Sequence, residues 1–405
     1  MTDSSAPPRA LRLLSVGIVL VTAGVMGTRP LVPLYALSLG IGPGEIGVLV
    51  AAFAILPLFI VSLVGSWMDR HGSAWIMVSG ALLSALGLML PFLMPDRAGL
   101  YLSQVAAGTG STVFILSLQH YTGSITSEPW ARERAMALTS MSLALGSFAG
   151  PLFSGFLADA TGFGTAFLLM ALPGFLALVV VAPVLWAPAS GRRATGRAEW
   201  LSNPVRILGY HPYMGRAFMI SVLVLMGKDM YVAYFPLYAD AAGISASAIG
   251  IIIALHNGGA VVVRFAMLPM VRLFGKNPVI VLSVVMSGMF FLLLPLTVDI
   301  VLLTAISLAL GLGLGIGQPL AITRTMNLSP PDKIGEVLGM RLAVNRLTQV
   351  ATPLTVGAMV SFTGVVGVFF FVGAVMALGG TRLSVPSEAP VGPQRPPRQG
   401  GRGSS

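Results

Sequence analysis

Pro33-Leu34-Tyr35-Ala36, followed by Gly40-Ile41, returns 203 positions later as Pro236-Leu237-Tyr238-Ala239, followed by Gly243-Ile244. The same offset carries Ile46-Gly47 onto Ile249-Gly250 and Gly72 onto Gly275. An offset of 202 carries Pro151 and Gly155 onto Pro353 and Gly357. A 405-residue chain that copies itself at half its length is two versions of one structural unit. Self-similarity on that scale restricts the fold more than any local motif does.

The unit is made for lipid. Hydrophobic residues make up 55% of the chain and charged ones only 9%, against about 25% charged in an ordinary soluble domain. Apolar runs of about 20 residues, the length that crosses about 30 Å of hydrocarbon, recur throughout. The spans read from sequence are 13–36, 45–67, 74–95, 98–120, 134–158 and 164–186, then 216–239, 246–270, 278–297, 299–322, 336–361 and 364–382. Six spans per half bring the second half into the bilayer in the same orientation as the first. The fold class predicted is all-α and integral to the membrane: twelve transmembrane helices, as two parallel six-helix repeats around a central cavity.

Charge placement orients this bundle. With the N-terminus inside, 18 of the 24 Lys and Arg residues fall in cytoplasmic segments or at inner span ends; Arg97 alone lies outside, and five lie within spans. That is the positive-inside pattern. Glu45, Asp96, Asp159, Asp240 and Asp299 occupy the external turns, and all five tryptophans fall at or beyond inner span ends. The net charge of +10 is therefore an orientation signal, and no soluble basic face exists to bind nucleic acid. A multi-pass protein of the cytoplasmic (inner) membrane, monomeric, with both termini cytoplasmic, is expected. No cysteine is present, which excludes disulfides and thiolate metal sites. The first apolar stretch is too long for a signal-peptide core and contains Arg29. The organisation predicted is a tail (1–12), a first bundle (13–186), a cytoplasmic linker (187–215), a second bundle (216–382) and a disordered Pro/Gly/Arg-rich tail (383–405). A short interfacial helix is expected near Trp200–Leu208.

Two motifs carry further meaning. Between the second and third spans stands Gly65-x-x-x-Asp69-Arg70-x-Gly72, where glycines allow close helix ends and a tight reversal and Asp69 can accept from a helix N-terminus or an arginine. At the second internal loop of a six-plus-six chain, this sequence resembles the signature of the major facilitator superfamily, and the resemblance covers residues 13–382. It implies alternating access, with Asp69 and Arg70 in a charge latch that biases the two states. In the second half Leu268 and Arg272 replace the first Gly and the Asp, so a symmetric latch is not implied. The fifth span contains Gly146-x-x-x-Gly150-Pro151-x-x-Ser154-Gly155. Small residues four apart make a flat packing face and Pro151 bends the helix. The pattern is also similar to the antiporter signature of exporters in that superfamily, apart from Ser154 and from Ala137, which stands where an earlier Gly is usual. Gly311, Gly313, Gly315, Gly317, Gln318 and Pro319 in the tenth span read mostly as packing, with Gln318 a polar contact.

Ionisable residues inside spans point to the site. Arg29, Lys228, Asp229, Arg264, Arg341 and Arg346 would together cost about 15–21 kcal/mol if lipid-facing at mid-depth, more than the 5–15 kcal/mol of a typical domain's stability. They must face water, protein or one another. Arg264 and Arg341 read as nearer the inner boundary, where snorkelling or a structural network accounts for them. Arg29 and Asp229 lie near mid-bilayer; the repeat maps Arg29 onto Val232, one turn from Asp229. A shared cavity in which the two pair is predicted, the alternative being a permanent structural ion pair. As the acid placed in the membrane interior, Asp229 is the candidate proton carrier; His120, His256 or exchange without protons are the other routes. Candidate binding surfaces are Tyr231 and Tyr234 with Phe235, Tyr238 and Lys228 on the seventh span, His256 and Asn257 on the eighth, and Arg341, Asn345, Thr348 and Thr352 with Gln349 and Arg346 on the eleventh. An aromatic stripe is more often packing; a polar stripe in lipid is harder to dismiss.

No Gly-x-x-x-x-Gly-Lys-Ser/Thr loop, metal motif or nucleophile arrangement is present. The expectation is therefore a non-enzymatic secondary transporter without cofactor or metal, moving a small organic solute. Proton-coupled export of a compound with a negative group is the first reading, since five interior cations face one acid. Uptake of an organic acid or sugar-like nutrient is the second, and a non-transporting receptor or lipid-handling protein on the same fold is the third.

Overall fold

The computed structural model describes residues 9–124, 129–185, 204–330 and 333–383. Six long helices form the first half: α1 (Arg9–Ser38), α2 (Pro43–His71), α3 (Ser73–Leu93), α4 (Arg97–Ser124), α5 (Pro129–Thr161) and α6 (Phe163–Leu185). A short helix, α7 (Pro204–Leu208), precedes α8 (Met214–Ala241), α9 (Ala246–Phe274), α10 (Lys276–Leu293), α11 (Ile300–Asn327) and α12 (Ile334–Thr381). Among the described residues there is no strand. Most of the predicted linker and tails, Trp186 and Trp200, and the side chains of Asp69, Arg70 and Trp130 lie outside the described residues.

At 48 residues, α12 would be about 72 Å long, over twice the hydrocarbon thickness. It does not run straight. Gly364 has φ 68°, ψ 178°, and the segments on its two sides return to the same end of the molecule. Val337 packs with Met214 at the start of α8 and Gly379 reaches Leu223 in the same helix, whereas Ser361, beside the kink, packs on Gly44 at the start of α2. The chain therefore doubles back at Gly364, and the described residues make twelve crossings.

The repeat is visible in the turns. Gly40 and Gly243 have φ 73° and 77°, Gly72 and Gly275 both 81°, and Gly162 and Gly364 82° and 68°. These three pairs stand 203, 203 and 202 residues apart. Gly72 ends α2 and begins α3 directly, as Gly275 does for α9 and α10. A left-handed residue between two abutting helices is where glycine alone is unstrained.

Within each half the helices pack on one another; between halves the main contacts are α2 with α12, α5 with α9 and α1 with α8. Call the end that carries both described termini the terminal end, and the other the far end. At the far end the halves meet backbone to backbone. A Cβ on Gly47 would lie 2.7 Å from the Gly357 Cα, and one on Gly250 would lie 3.3 Å from the Gly155 Cα. These four glycines belong to the repeated set, so the two contacts are pseudo-symmetric copies. Asp159, the last acid of α5, adds a polar clasp: its carboxylate accepts from the N–H groups of Ala246 (3.1 Å) and Ser247 (2.8 Å). Ser245 takes the Ala248 N–H at 3.3 Å. Three of the four unpaired N–H groups at the start of α9 are thereby satisfied, two of them by the opposite half.

The terminal end is open. Along α5 and α9 the halves stay together as far as Phe148 and Gly258. From Val262 to Phe274, Val263 is the one buried residue of α9. Arg264, Phe265 and Ala266 are consecutive and all exposed. Spaced about 100° apart round the helix, they cannot all face lipid, so one side of this stretch borders a cavity. Gly65, Gly335 and Gly339, near the terminal ends of α2 and α12, have nothing within 4 Å of an added Cβ. The close helix ends that sequence alone assigns to Gly65 are absent in this conformation, because the halves have separated there.

Closure of the far end makes two substitutions diagnostic. Gly47→Val should hold the far ends of α2 and α12 apart, and Asp159→Ala should remove a clasp worth about 1 kcal/mol, shifting the population toward the opposite conformation about fivefold. Maleimide labelling of a cysteine placed at buried Ile46 checks both: its rate from the far side should rise in each variant.

Candidate functional site

Arg29 lies on a segment of α1 that α5 holds in place. Gly27 faces Gly150 so closely that a Cβ would sit 2.6 Å from the Gly150 carbonyl oxygen, and Gly146 faces Thr22 and Ala23. Ser154 donates to the Gly27 carbonyl at 2.7 Å. The small-residue motif of α5 thus has two faces: Gly146, Gly150 and Ser154 grip α1, while Pro151 and Gly155 meet Gly250 of the other half. Thr28 bonds back to the carbonyls of Gly24 (3.2 Å) and Val25 (3.1 Å), and Pro30 supplies no N–H.

From this segment the Arg29 guanidinium crosses to the second half. Its Nη1 stands 3.5 Å from Oδ1 of Asp229 on α8, and its Cζ lies 4.7 Å from the centre of the Phe53 ring on α2. The side chains of Arg29 and Asp229 are 16% and 6% exposed. At 3.5 Å the pair is looser than a charge-assisted hydrogen bond of about 2.8 Å. Counted along the helices, Arg29 lies about 14 Å and Asp229 about 18 Å from the far ends. Both are well inside the bilayer.

Three more cations surround the pair. Lys228 is exposed, yet it is enclosed by protein and feels the charges of Asp229, Arg29 and Arg264. A residue both central and accessible lines an internal, water-reachable space. Half-exposed Arg346 feels Asp229 and Arg29 and donates from Nη1 to the Gln349 side chain at 2.9 Å. Arg264 lies about 27 Å from the far end of α9, toward the inner boundary as its span position suggests, and its charge still reaches Lys228. Four cations and one carboxylate thus share the cavity. The other described carboxylates with neighbours resolved here, such as Glu45, Asp159 and Glu336, sit near helix ends.

The remaining candidates divide between cavity and packing. Asn345, half-buried on α12, has a side-chain carbonyl oxygen with no hydrogen-bond partner. Asn257 donates to the Ser147 carbonyl at 2.8 Å, which ties α9 to α5 across the halves. Arg341 is buried and donates from Nε to Ser221 at 2.9 Å and from Nη2 to Gln318 at 2.7 Å; Gln318 is part of this network. Tyr231, Tyr234 and His256 are core. Both tyrosines are fully buried, Tyr231 stacks on His256 with centroids 4.2 Å apart, and His256 Nδ1 lies 3.0 Å from the Ser307 carbonyl. The aromatic stripe of the seventh span packs α8 against its neighbours and does not line the cavity. Of the latch residues, Gly72 makes the α2–α3 turn.

Sequence reasoning missed Phe53, Ser221 and Ser147. Phe53 had no signal, being one apolar residue in an apolar helix. Ser221 and Ser147 act through a hydroxyl and a main-chain oxygen that no spacing rule exposes.

Residues 14–238 and 217–404 each match the profile of the Major Facilitator Superfamily. The chain belongs to this superfamily. It is 28% identical over 254 residues to multidrug resistance protein 2 of Bacillus subtilis, an alignment spanning 61% of this chain and 61% of that protein. It is 24% identical over 386 residues to multidrug resistance protein 1 of the same organism, spanning 94% and 97%. Among solved structures, a peptide transporter POT in complex with sulfate superposes with a TM-score of 0.77 at 17% identity, covering 93% of this chain and 94% of that one. A POT family transporter in complex with 5-aminolevulinic acid gives 0.74 at 13%, covering 93% and 95%. Those identities speak for the fold alone. This major facilitator is a multi-pass membrane transporter with one carboxylate at the centre of a cationic cavity.

Ser221→Ala tests the Arg341 network. It leaves a buried, charged donor without its acceptor, at a cost of about 1–3 kcal/mol. A lower Tm in detergent is expected, with the spectrum of transported compounds unchanged.

Proposed function

We propose that this protein exports small organic compounds bearing a carboxylate or comparable negative group, in exchange for protons. Asp229 carries the reading: a lone acid near mid-bilayer, loosely paired with Arg29 across the two halves, beside Lys228, Arg264 and Arg346. Ionisable groups at that depth mark solute or proton paths. The terminal end is cytoplasmic on the positive-inside rule, in the inner membrane, so the conformation described is inward-open. The α5 motif and the two multidrug resistance relatives support export.

The steps follow from charge. With Asp229 ionised, Arg29 is held across the cavity and the bundle is locked near its midplane. A solute with a negative group enters from the cytoplasm and is drawn by the cations. It competes with Asp229 for Arg29, and the halves rock so that the terminal end closes and the far end opens. The solute leaves to the outside, and a proton arriving from there neutralises Asp229 before its pair with Arg29 can re-form. The neutral acid permits the return, and the proton is released inward when Arg29 re-forms its pair. Solute and proton each break the same ion pair, so either one alone frees the halves to rock, whereas the empty, paired state stays locked; a proton must therefore come in for each solute that goes out. Asp69 and Arg70 serve in this cycle as the latch of the inward-closed state.

A proteoliposome screen of carboxylate-bearing and zwitterionic drug-like compounds under an imposed pH gradient tests this. Accumulation in everted vesicles is expected, and accumulation in intact cells would mean uptake. Asp229→Asn should lower gradient-driven transport more than tenfold while solute exchange without a gradient persists. Arg29→Gln should lower both, because removing one partner of a buried pair costs about 3–5 kcal/mol. Unchanged export of every anionic candidate by Arg29→Gln would refute the substrate class.

A further inference from the structure

Outside the central cavity, a second opening of about 650 Å³ lies at the terminal face, on the flank of the second half, between the start of α8 and the end of α12. Gly215, Arg216, Met219 and Leu223 line one wall, and Val375, Gly379, Arg382 and Leu383 line the other. Arg216, Met219 and Leu223 recur at three- to four-residue spacing along α8, as Val375, Gly379 and Arg382 do along α12 and its cap, so each wall is built on one stripe. Gly379 keeps the slot from filling: an added Cβ would lie 3.0 Å from Leu223 Cδ1. The mouth differs from the floor. Arg216 and Arg382 are exposed at the rim, one from each helix, and the Arg216 guanidinium is steered over the Tyr213 ring, 5.1 Å from its centre. Leu223 and Val375 each lie seven residues further in, about 10 Å along their helices. Among the described residues, none that lines the slot is acidic.

We propose that this slot binds an anionic phospholipid, its phosphate held between Arg216 and Arg382 and one acyl chain laid along Met219, Leu223 and Val375. The match is in charge and in depth: two cations at headgroup level, then an apolar channel of the length of half a chain. Basic pockets between membrane helices take phosphate headgroups for this reason. The chain's own tail complements the slot poorly. Beyond Leu383 it carries Arg395, Arg398 and Arg402 against one acid, Glu388, so it repeats the charge of the rim.

The test uses the full-length protein in phosphatidylcholine nanodiscs doped with phosphatidylglycerol, followed by native mass spectrometry of the lipids retained on release. Wild type should retain phosphatidylglycerol in preference to phosphatidylcholine. Arg216→Gln with Arg382→Gln should reduce that preference roughly thirtyfold, about fivefold per arginine. The double lysine variant should keep most of it. Gly379→Leu, which fills the slot and keeps both arginines, should lose the lipid as well, and the surface double variant keeps the test valid if that protein fails to fold. Equal retention by wild type and the double glutamine variant would overturn the proposal. So would displacement of the lipid by inorganic phosphate alone, which would make the rim a headgroup site without a chain channel.

Discussion

The halves touch where their main chains can come within van der Waals distance of each other, and everything else in the molecule follows from where that is. In hydrocarbon no hydrophobic force drives two helices together, so contact depends on small residues that let backbones approach. Gly47 on Gly357 and Gly250 on Gly155 supply it at the far end only. Nearer the termini, α5 and α9 part below Phe148 and Gly258, and Gly65 and Gly339 face nothing. Asp159 strengthens the closed end with two hydrogen bonds to the opposite half. A cavity open at one end and sealed at the other is the result.

That cavity is what makes the interior charges tolerable. Arg29, Lys228, Asp229, Arg264 and Arg346 would be prohibitive in lipid; Lys228, Arg264 and Arg346 are accessible, and buried Asp229 is paired with Arg29. The α5 motif joins the two problems. One face of the helix seats the Arg29 segment through Gly150 and Ser154, and the other closes the far end through Gly155. A shift of α5 relative to α9 therefore moves the arginine and the gate together. This is a mechanical link between the state of the gate and the state of the ion pair.

Much of the site was legible, and the exceptions have physical causes. Arg29 and Asp229 were placed at similar depth from the repeat, and they pair. Arg264 stands about 27 Å from the far end, toward the inner boundary as its span position implied; that its charge reaches Lys228 on another helix is what no span position shows. Tyr231 and Tyr234 share a helix face with Lys228 by spacing, yet they are wrapped by His256 and neighbouring helices, while Lys228 opens to water. Angle on a helix tells which residues are neighbours. It does not tell which neighbour looks into a cavity. Arg341 read as structural, and it is, through Ser221, which no pattern singled out.

By itself the sequence determined the twelvefold crossing, the duplication and the set of charges in the membrane, because these are written in composition, span length and a period of about 203 residues. It determined the turn glycines too, since a left-handed residue between abutting helices leaves little choice. Tertiary structure alone decided which end is closed, which cations gather round Asp229 and which aromatic rings are core. Those depend on the relative position of two bundles that can pack in more than one way. Local rules are the same in each arrangement, so no local rule can choose between them.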